Sequence, residues 1–203
     1  MLYHQNTVIK KAEVNNLAST SERIIVDDLE LWKNFQVGSE VAFATIYKNN
    51  VSLLYSYGFK LVNNKALIKD CIQDLFIEIW DSKQRLGNVR YIKAYLHKSF
   101  RRKLIAASVK QRIDYKISEY PNEHSLKSFS FEHSLIEKQN FDLQQQKLKE
   151  SLQKLTDKQK EIIHLRYYAR LSYIEISEIM SISKKGAYKL MGRSIEFLRS
   201  NMS

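Results

Sequence analysis

Apolar side chains return every three or four residues along most of this chain, the spacing of helices that each bury one stripe. One such segment follows Gly38-Ser39 and carries Phe43, Ile46, Tyr47, Leu54 and Tyr57 to about Val62. A second runs from about Asn64 to Gln84, and a third from about Val89 to beyond Val109. Further on, Leu171 to Arg199 divides into a short helix, a tight turn and a basic helix. Ser172 starts the first of these, and Glu175 completes a capping box. Ile176, Ile179 and Met180 give it an apolar face, and Met180-Ser181-Ile182 carries the turn. Ser183 caps the next helix, where Ala187, Leu190 and Met191 point inward. The pattern predicts an all-α protein whose last part is a helix-turn-helix, the usual reader of a DNA major groove.

The breaks in the pattern set the organisation. One proline and five glycines in 203 residues leave little that is not helical. The proline, Pro121, stands in a polar, Ser-rich, aperiodic stretch that reads as a flexible linker. The expected division is therefore a loose N-terminal arm over 1–22, a small helical domain over 23–118, a linker over 119–134 and a helix-turn-helix domain over 135–203.

The polar faces carry the candidate chemistry. In the second segment Ile68, Cys71, Ile72, Leu75 and Ile79 share the buried face. Asp70, Gln73, Asp74, Ile77 and Asp81 lie opposite, with Trp80 at the border. Apolar Ile77 and Trp80 do not suit a solvated acidic face, and they predict a protein contact. In the third segment Ile92, Tyr95, Leu96, Ser99 and Phe100 gather inward. Arg90, Lys93, His97, Lys98 and Arg101 gather outward, with Tyr91 and Arg102 at the margin. A basic stripe edged by aromatics suits single-stranded nucleic acid, because cations follow the backbone while flat groups stack on bases. On the last helix Lys184, Lys185, Tyr188, Lys189 and Arg193 face outward.

Charge and the remaining motifs narrow the function. The formal charge of +11 and a pI of about 9.6 favour an anionic partner. No apolar run is long enough to span a membrane, no signal-peptide core is present at the start, and a lone cysteine forms no internal disulfide. A cytoplasmic protein is expected. Asp70, Asp74 and Glu78 repeat at four-residue spacing but have no histidine beside them, and the five histidines form no ligand pair. No metal, cofactor, small-molecule substrate or catalytic residue is expected, and the chain does not read as an enzyme.

Taken together, these segments resemble the sigma-70 family of bacterial transcription initiation factors, in its compact extracytoplasmic-function group. D-C-I-Q-D-L-F-I-E-I-W at Asp70 to Trp80 is similar to the helix that docks on RNA polymerase. Y-I-K-A-Y-L-H-K-S-F-R-R-K at Tyr91 to Lys103 is similar to the promoter-melting segment, and the stretch from Leu155 to the domain that reads the −35 element. The resemblance implies polymerase binding by Asp70, Gln73, Asp74, Ile77 and Trp80. It implies capture of the −10 single strand by Arg85, Asn88, Arg90, Tyr91, Lys93, Lys98, Arg101 and Arg102. It assigns the −35 duplex to Ser183, Lys184, Lys185, Tyr188, Lys189 and Arg193. RNA polymerase core and promoter DNA are the implied partners, with an anti-sigma factor as a further candidate. The chain departs from the family pattern at Ser181, where glycine is usual, at Gly186, where Thr or Ser is common, and at Arg102, where many relatives have Asn. Gly186 and Gly192, interior to the recognition helix, predict a helix that is softer than usual or leans on DNA for order. The alternative reading is a stand-alone helix-turn-helix regulator that does not bind polymerase.

Overall fold

The computed structural model describes residues 27–117 and 147–202, with side chains described over 27–111 and 147–201. The expected arm (1–22) and linker (119–134) lie outside the described residues. The described residues are all-α. Residues 27–36 form α1, followed by α2 (Glu40–Leu61), α3 (Lys65–Ser82), a 3-10 turn (Lys83–Arg85) and α4 (Ile92–Ile117). After the undescribed stretch come α5 (147–154), α6 (Asp157–Ile163), a π-turn (His164–Tyr168), α7 (Tyr173–Met180) and α8 (Lys184–Met202).

Local chemistry sets most of these boundaries. Ser39 accepts the Ala42 N–H and starts α2, while Asn64 accepts the Leu67 N–H and starts α3. Complete capping boxes begin α6 (Thr156 with Gln159) and α7 (Ser172 with Glu175). The helix-turn-helix follows the predicted layout. Ser181 takes the left-handed conformation at the turn, and Ser183 accepts the Gly186 N–H at 3.0 Å to start α8. With Gly186 and Gly192 inside it, α8 runs unbroken over 19 residues.

Helices α2, α3 and α4 pack around Ile46, Leu54, Ile68, Leu75, Leu96, Phe100 and Leu104. Gly58 lets α2 close on this core, because a Cβ there would stand 2.8 Å from Ile68 and 3.2 Å from Phe100. Helices α1, α5 and α6 have no counterpart among the predicted segments. Helix α1 buries Trp32 and Phe35, which are 1% and 0% exposed, against Tyr95, Phe43 and Trp80. The second group, α6 to α8, surrounds Ile162, Leu165, Leu171, Ile176, Ile179, Ala187 and Met191. The two groups touch: α6 and the π-turn meet α2, and α7 meets α4.

Candidate nucleic-acid and polymerase interfaces

The acidic face of α3 borders a groove. Asp70, Gln73, Asp74 and Ile77 are exposed, Ile77 by 50%, and Trp80 is half-buried. Beside them α2 and α3 splay apart over a groove of about 1090 Å³, whose apolar lining includes Phe43, Tyr47, Val51, Phe76, Ile77 and Trp80. Trp80 packs on Phe43 at 4.9 Å between ring centroids, and the Lys83 ammonium lies 4.1 Å from its ring. The α2 half of this groove was absent from the sequence reading, because Phe43 and Tyr47 look like ordinary core positions. Among the described residues no cluster of three metal-ligating side chains forms, and Glu78 pairs with Lys103.

The proposed strand-binding residues fall on two supports. Arg85 lies in the 3-10 turn. Asn88, Arg90 and Tyr91 lie in a loop before α4, which begins at Ile92 rather than near Val89. The loop is held by α1: Trp32 Nε1 donates to the Gly87 carbonyl at 3.0 Å, and Gln36 donates to that of Leu86. The Asp28 carboxylate accepts the Ile92 N–H at 2.9 Å and so caps α4. Burial raises the Asp28 pKa, against the lowering effect of that N–H and of Lys93. The Arg90 guanidinium stands over the Tyr91 ring.

On α4 the basic stripe is only partly open. Lys98 and Arg102 are exposed, but Lys93 and Arg101 are half-buried. His97, placed outward by the sequence reading, is fully buried. The reason is the second group of helices, which covers this flank of α4. Arg101 Nε donates to Glu161 Oε1 of α6 at 2.7 Å, and Nη2 reaches Oε2 at 3.4 Å. Burial works against the Arg101 charge, but the Glu161 hydrogen bond and charge outweigh it and raise the Arg101 pKa. Tyr57 completes the site by donating its hydroxyl to Glu161 Oε1 at 2.6 Å. Burial first, then the Glu161 charge, push the Tyr57 pKa far up and keep that proton in place. The Tyr57 ring lies between His97 and His164, with centroids 5.3 and 5.8 Å away. His97 Nδ1 contacts the Lys93 carbonyl at 2.8 Å, an acceptor that requires the proton on Nδ1. His97 Nε2 and His164 Nδ1 are buried with no hydrogen-bond partner. Desolvation lowers both histidine pKa values to about 4, so both rings are neutral near pH 7.

The basic outer face of α8 is open. Lys184, Lys185, Tyr188, Lys189 and Arg193 are all exposed, on the face opposite buried Ala187 and Met191. Ser183 spends its hydroxyl as the helix cap. Tyr188 stacks on Tyr173 of α7 at 4.0 Å between centroids, and Arg166 lies over the other ring at 5.1 Å. Arg166 is itself tied to the Leu171 carbonyl at 2.9 Å. Tyr173 and Arg166 therefore hold the Tyr188 ring on the basic outer face, a contact the sequence reading missed. No helix among the described residues is long and apolar enough to cross a membrane.

Residues 151–199, which span α6 to most of α8, match the family model of sigma-70 region 4. No curated protein matches the sequence. Among solved structures the chain is similar to CnrH in its complex with the cytosolic domain of CnrY, at 18% identity and a TM-score of 0.56, covering 85% of this chain and 95% of that one. It is also similar to the sigma factor RpoE of Bartonella quintana, crystallised with the anti-sigma factor NepR. There the identity is 18% and the TM-score 0.60, over 79% of this chain and 96% of the other. These likenesses establish a shared fold across both groups of helices. Residues 151–199, which carry the capped helix-turn-helix with the basic outer face, are thus similar to region 4 of the sigma-70 family.

Proposed function

We propose that this chain is a sigma-70 family factor that binds RNA polymerase core and directs transcription initiation at promoters with two recognised elements. In this reading residues 23–118 form the polymerase-binding and melting domain, and residues 135–203 the −35-reading domain. The apolar groove of α2 and α3, with Gln73, Ile77 and Trp80 in its lining, receives polymerase together with Asp70 and Asp74 on the neighbouring exposed face of α3. Its size and its aromatic lining, with polar Glu40, Ser52, Lys69 and Gln73 among the lining residues, suit an anchor-and-rim protein contact. Arg85, Asn88, Arg90, Tyr91, Lys93, Lys98, Arg101 and Arg102 take the separated strand of the −10 element. Melting then needs no covalent chemistry, only tighter binding of the open strand than of the duplex. Lys184, Lys185, Tyr188, Lys189 and Arg193 enter the −35 major groove, with base contacts for sequence and phosphate contacts for position.

The observation that carries this reading is the coexistence, on one chain, of a region 4 match with an exposed basic helix and a separate apolar groove on α3. A stand-alone helix-turn-helix regulator has no use for the second surface. An anti-sigma factor is a natural regulator, since the structural relatives CnrH and RpoE were solved with CnrY and with the anti-sigma factor NepR. The polymerase partner places the protein in the cytoplasm. Reconstituted transcription with core polymerase, followed by mapping of start sites across genomic templates, tests the reading. Starts that need this chain and share two spaced upstream elements are the expected result. Binding of the chain to DNA with no gain of specific starts would favour the stand-alone regulator.

A further inference from the structure

Asp28, Trp32 and Gln36 recur every fourth residue and share one stripe of α1. Each spends a polar atom on the backbone of the segment between α3 and α4. Gln36 donates to the Leu86 carbonyl, Trp32 Nε1 donates to the Gly87 carbonyl at 3.0 Å, and Asp28 accepts the Ile92 N–H at 2.9 Å. Helix and loop therefore run in opposite directions with three rungs between them. Residues 86–91 carry no regular secondary structure, so these rungs stand in for hydrogen bonds that a helix would supply. Trp32 is fully buried, and its ring packs on Phe35 and edge-on to Tyr95 of α4, which fixes the direction of its N–H. The Trp32 and Asp28 anchors are four residues apart on α1, about 6 Å of helix rise. The chain from Gly87 to Ile92 would span about 17 Å if extended. The surplus bows outward between the anchors. The bow exposes Asn88 and Arg90, while Leu86 and Val89 stay packed on the core.

We infer that α1 is a specificity element: Asp28, Trp32 and Gln36 are positioning residues that set the path of the 86–91 loop and so select the base it accepts, without meeting DNA themselves. The inference rests on the proposed assignment of Asn88, Arg90 and Tyr91 to the separated strand. All three bonds go to backbone atoms, so the stripe dictates the course of the chain and leaves the loop side chains free for a ligand. A base is told from its rivals by groups held at fixed positions, and a loop that wanders by about 1 Å loses that discrimination. Phosphate attraction is less demanding, because a charge acts over several ångströms. Loosening α1 from the loop therefore relaxes base choice before it weakens the hold on the strand. The Arg90 guanidinium over the Tyr91 ring gains most from a fixed path, since both sit directly before the Ile92 anchor.

Gln36→Leu and Trp32→Phe each remove one donor and keep an apolar body in its place, and half-buried Gln36 can change without emptying the core. Asp28→Ala removes the acceptor that Asp28→Asn keeps. The free full-length chain is first exposed to trypsin, and cleavage after Arg90 is followed by mass spectrometry. Cleavage about tenfold faster than native is expected in Gln36→Leu, Trp32→Phe and Asp28→Ala, because the loop opens locally more often. Rates within about twofold of native in all three overturn the inference. Transcription with core polymerase on a library randomised over the −10 and −35 elements then reads base choice. Preference at the −10 position met by the loop should fall about fivefold or more in Gln36→Leu and Trp32→Phe, while −35 preference and core affinity stay as in the native chain. A role in folding alone would lower yield on all promoters alike with the preference intact, and that result overturns the inference. Asp28→Asn should keep the preference that Asp28→Ala loses, and equal loss in both overturns the part given to Asp28. The loop variant Arg90→Ala plus Tyr91→Ala separates the inference from the reading beneath it. If it relaxes the −10 preference and the α1 variants do not, only the role of α1 falls. If it too leaves the preference intact, the strand assignment falls and takes the inference with it.

Discussion

Arg101 and Glu161 are 60 residues apart in sequence and meet at 2.7 Å across the contact between the two groups of helices. The Glu161 side chain is only 4% exposed and that of Arg101 23%. Removing one partner of such a pair leaves a buried charge without compensation, whereas removing both leaves neither. Glu161→Ala or Arg101→Ala should each cost about 2–3 kcal/mol of stability, the lower end of the usual range because Arg101 keeps some contact with water. The double variant should cost clearly less than the sum. A double-mutant cycle by urea denaturation measures this, and strict additivity would show that the pair does not interact in solution.

The neutral histidines at the same contact give the protein a defined acid sensitivity. His97 is faced by Tyr57, His164 and its own-helix Lys93, and His164 by Tyr57 and Lys60. Burial lowers both pKa values from 6.5 to about 4, so the packed state binds fewer protons than the opened chain. Their effect on stability is absent above about pH 7. It appears as a loss as pH falls from 6.5 toward 4, at up to about 1.4 kcal/mol per pH unit for each histidine. Chemical denaturation at steps between pH 7.5 and 4.5 should show this slope, and His97→Leu should remove about half of it. A flat profile in the native chain would contradict the burial of the two rings.

Polymerase binding is best probed at Ile77. Trp80 lies closer to the anchor of the groove, but it also packs on Phe43 and Phe35, so its removal disturbs the fold. Ile77 is half exposed and can be truncated without opening the core. Ile77→Ala should weaken binding to core polymerase by about 1–2 kcal/mol, roughly five- to thirtyfold, with helical circular dichroism intact. Asp74→Ala should act in the same direction from the neighbouring exposed face. Unchanged core affinity in both variants would remove α3 from the interface.

The helix-turn-helix itself can be made more stable. Ser181 has φ 55°, a conformation that costs a non-glycine residue about 1–2 kcal/mol, and Ser181→Gly should recover part of this. A Cβ at Gly192 meets nothing within 4 Å, so Gly192→Ala should add about 1 kcal/mol. At Gly186 a Cβ would come within 3.1 Å of the Ser183 hydroxyl that caps the helix, and alanine there should add nothing. Thermal unfolding orders the three: gains of a few degrees for the first two and none for the third.

Local signals made much of this legible beforehand. The caps at Ser39, Asn64, Ser172 and Ser183 depend on neighbours within three residues, and the apolar stripes of α3 and α8 follow helical period. The contact between the two groups did not announce itself. Periodicity separates an apolar face from a polar one, and a polar face covered by polar partners has the same pattern as one in water. His97 and Arg101 therefore read as solvated, and Glu161 did not stand out at all. Helix α1 escaped because its buried pair, Trp32 and Phe35, is embedded among charged residues and too short to establish a period. The Tyr173–Tyr188 stack joins two helices across the turn, so neither helix reveals it alone.

If α8 enters a major groove as proposed, that stack shapes what it can read. Tyr188 is 51% exposed yet held from behind by Tyr173, which Arg166 covers in turn. A ring fixed in this way presents an apolar edge at low entropic cost, suited to a thymine methyl group. Lys185 and Lys189 flank it and are assigned to base edges, while Lys184, which opens the helix, and Arg193, one turn beyond Lys189, are assigned to phosphates. Lys185→Ala, Lys189→Ala and Tyr188→Ala should each cost about 1–3 kcal/mol and relax preference at one position. Lys184→Ala should weaken all sequences alike and reduce the salt slope by about one unit. Tyr173→Ala supplies the decisive comparison, because it touches no DNA in this arrangement. It should blur the same position that Tyr188→Ala relaxes, by a smaller amount. Selection of a promoter library against each variant reads both effects. If Tyr173→Ala left the preference at that position intact, the stack would be packing alone and Tyr188 would owe nothing to it.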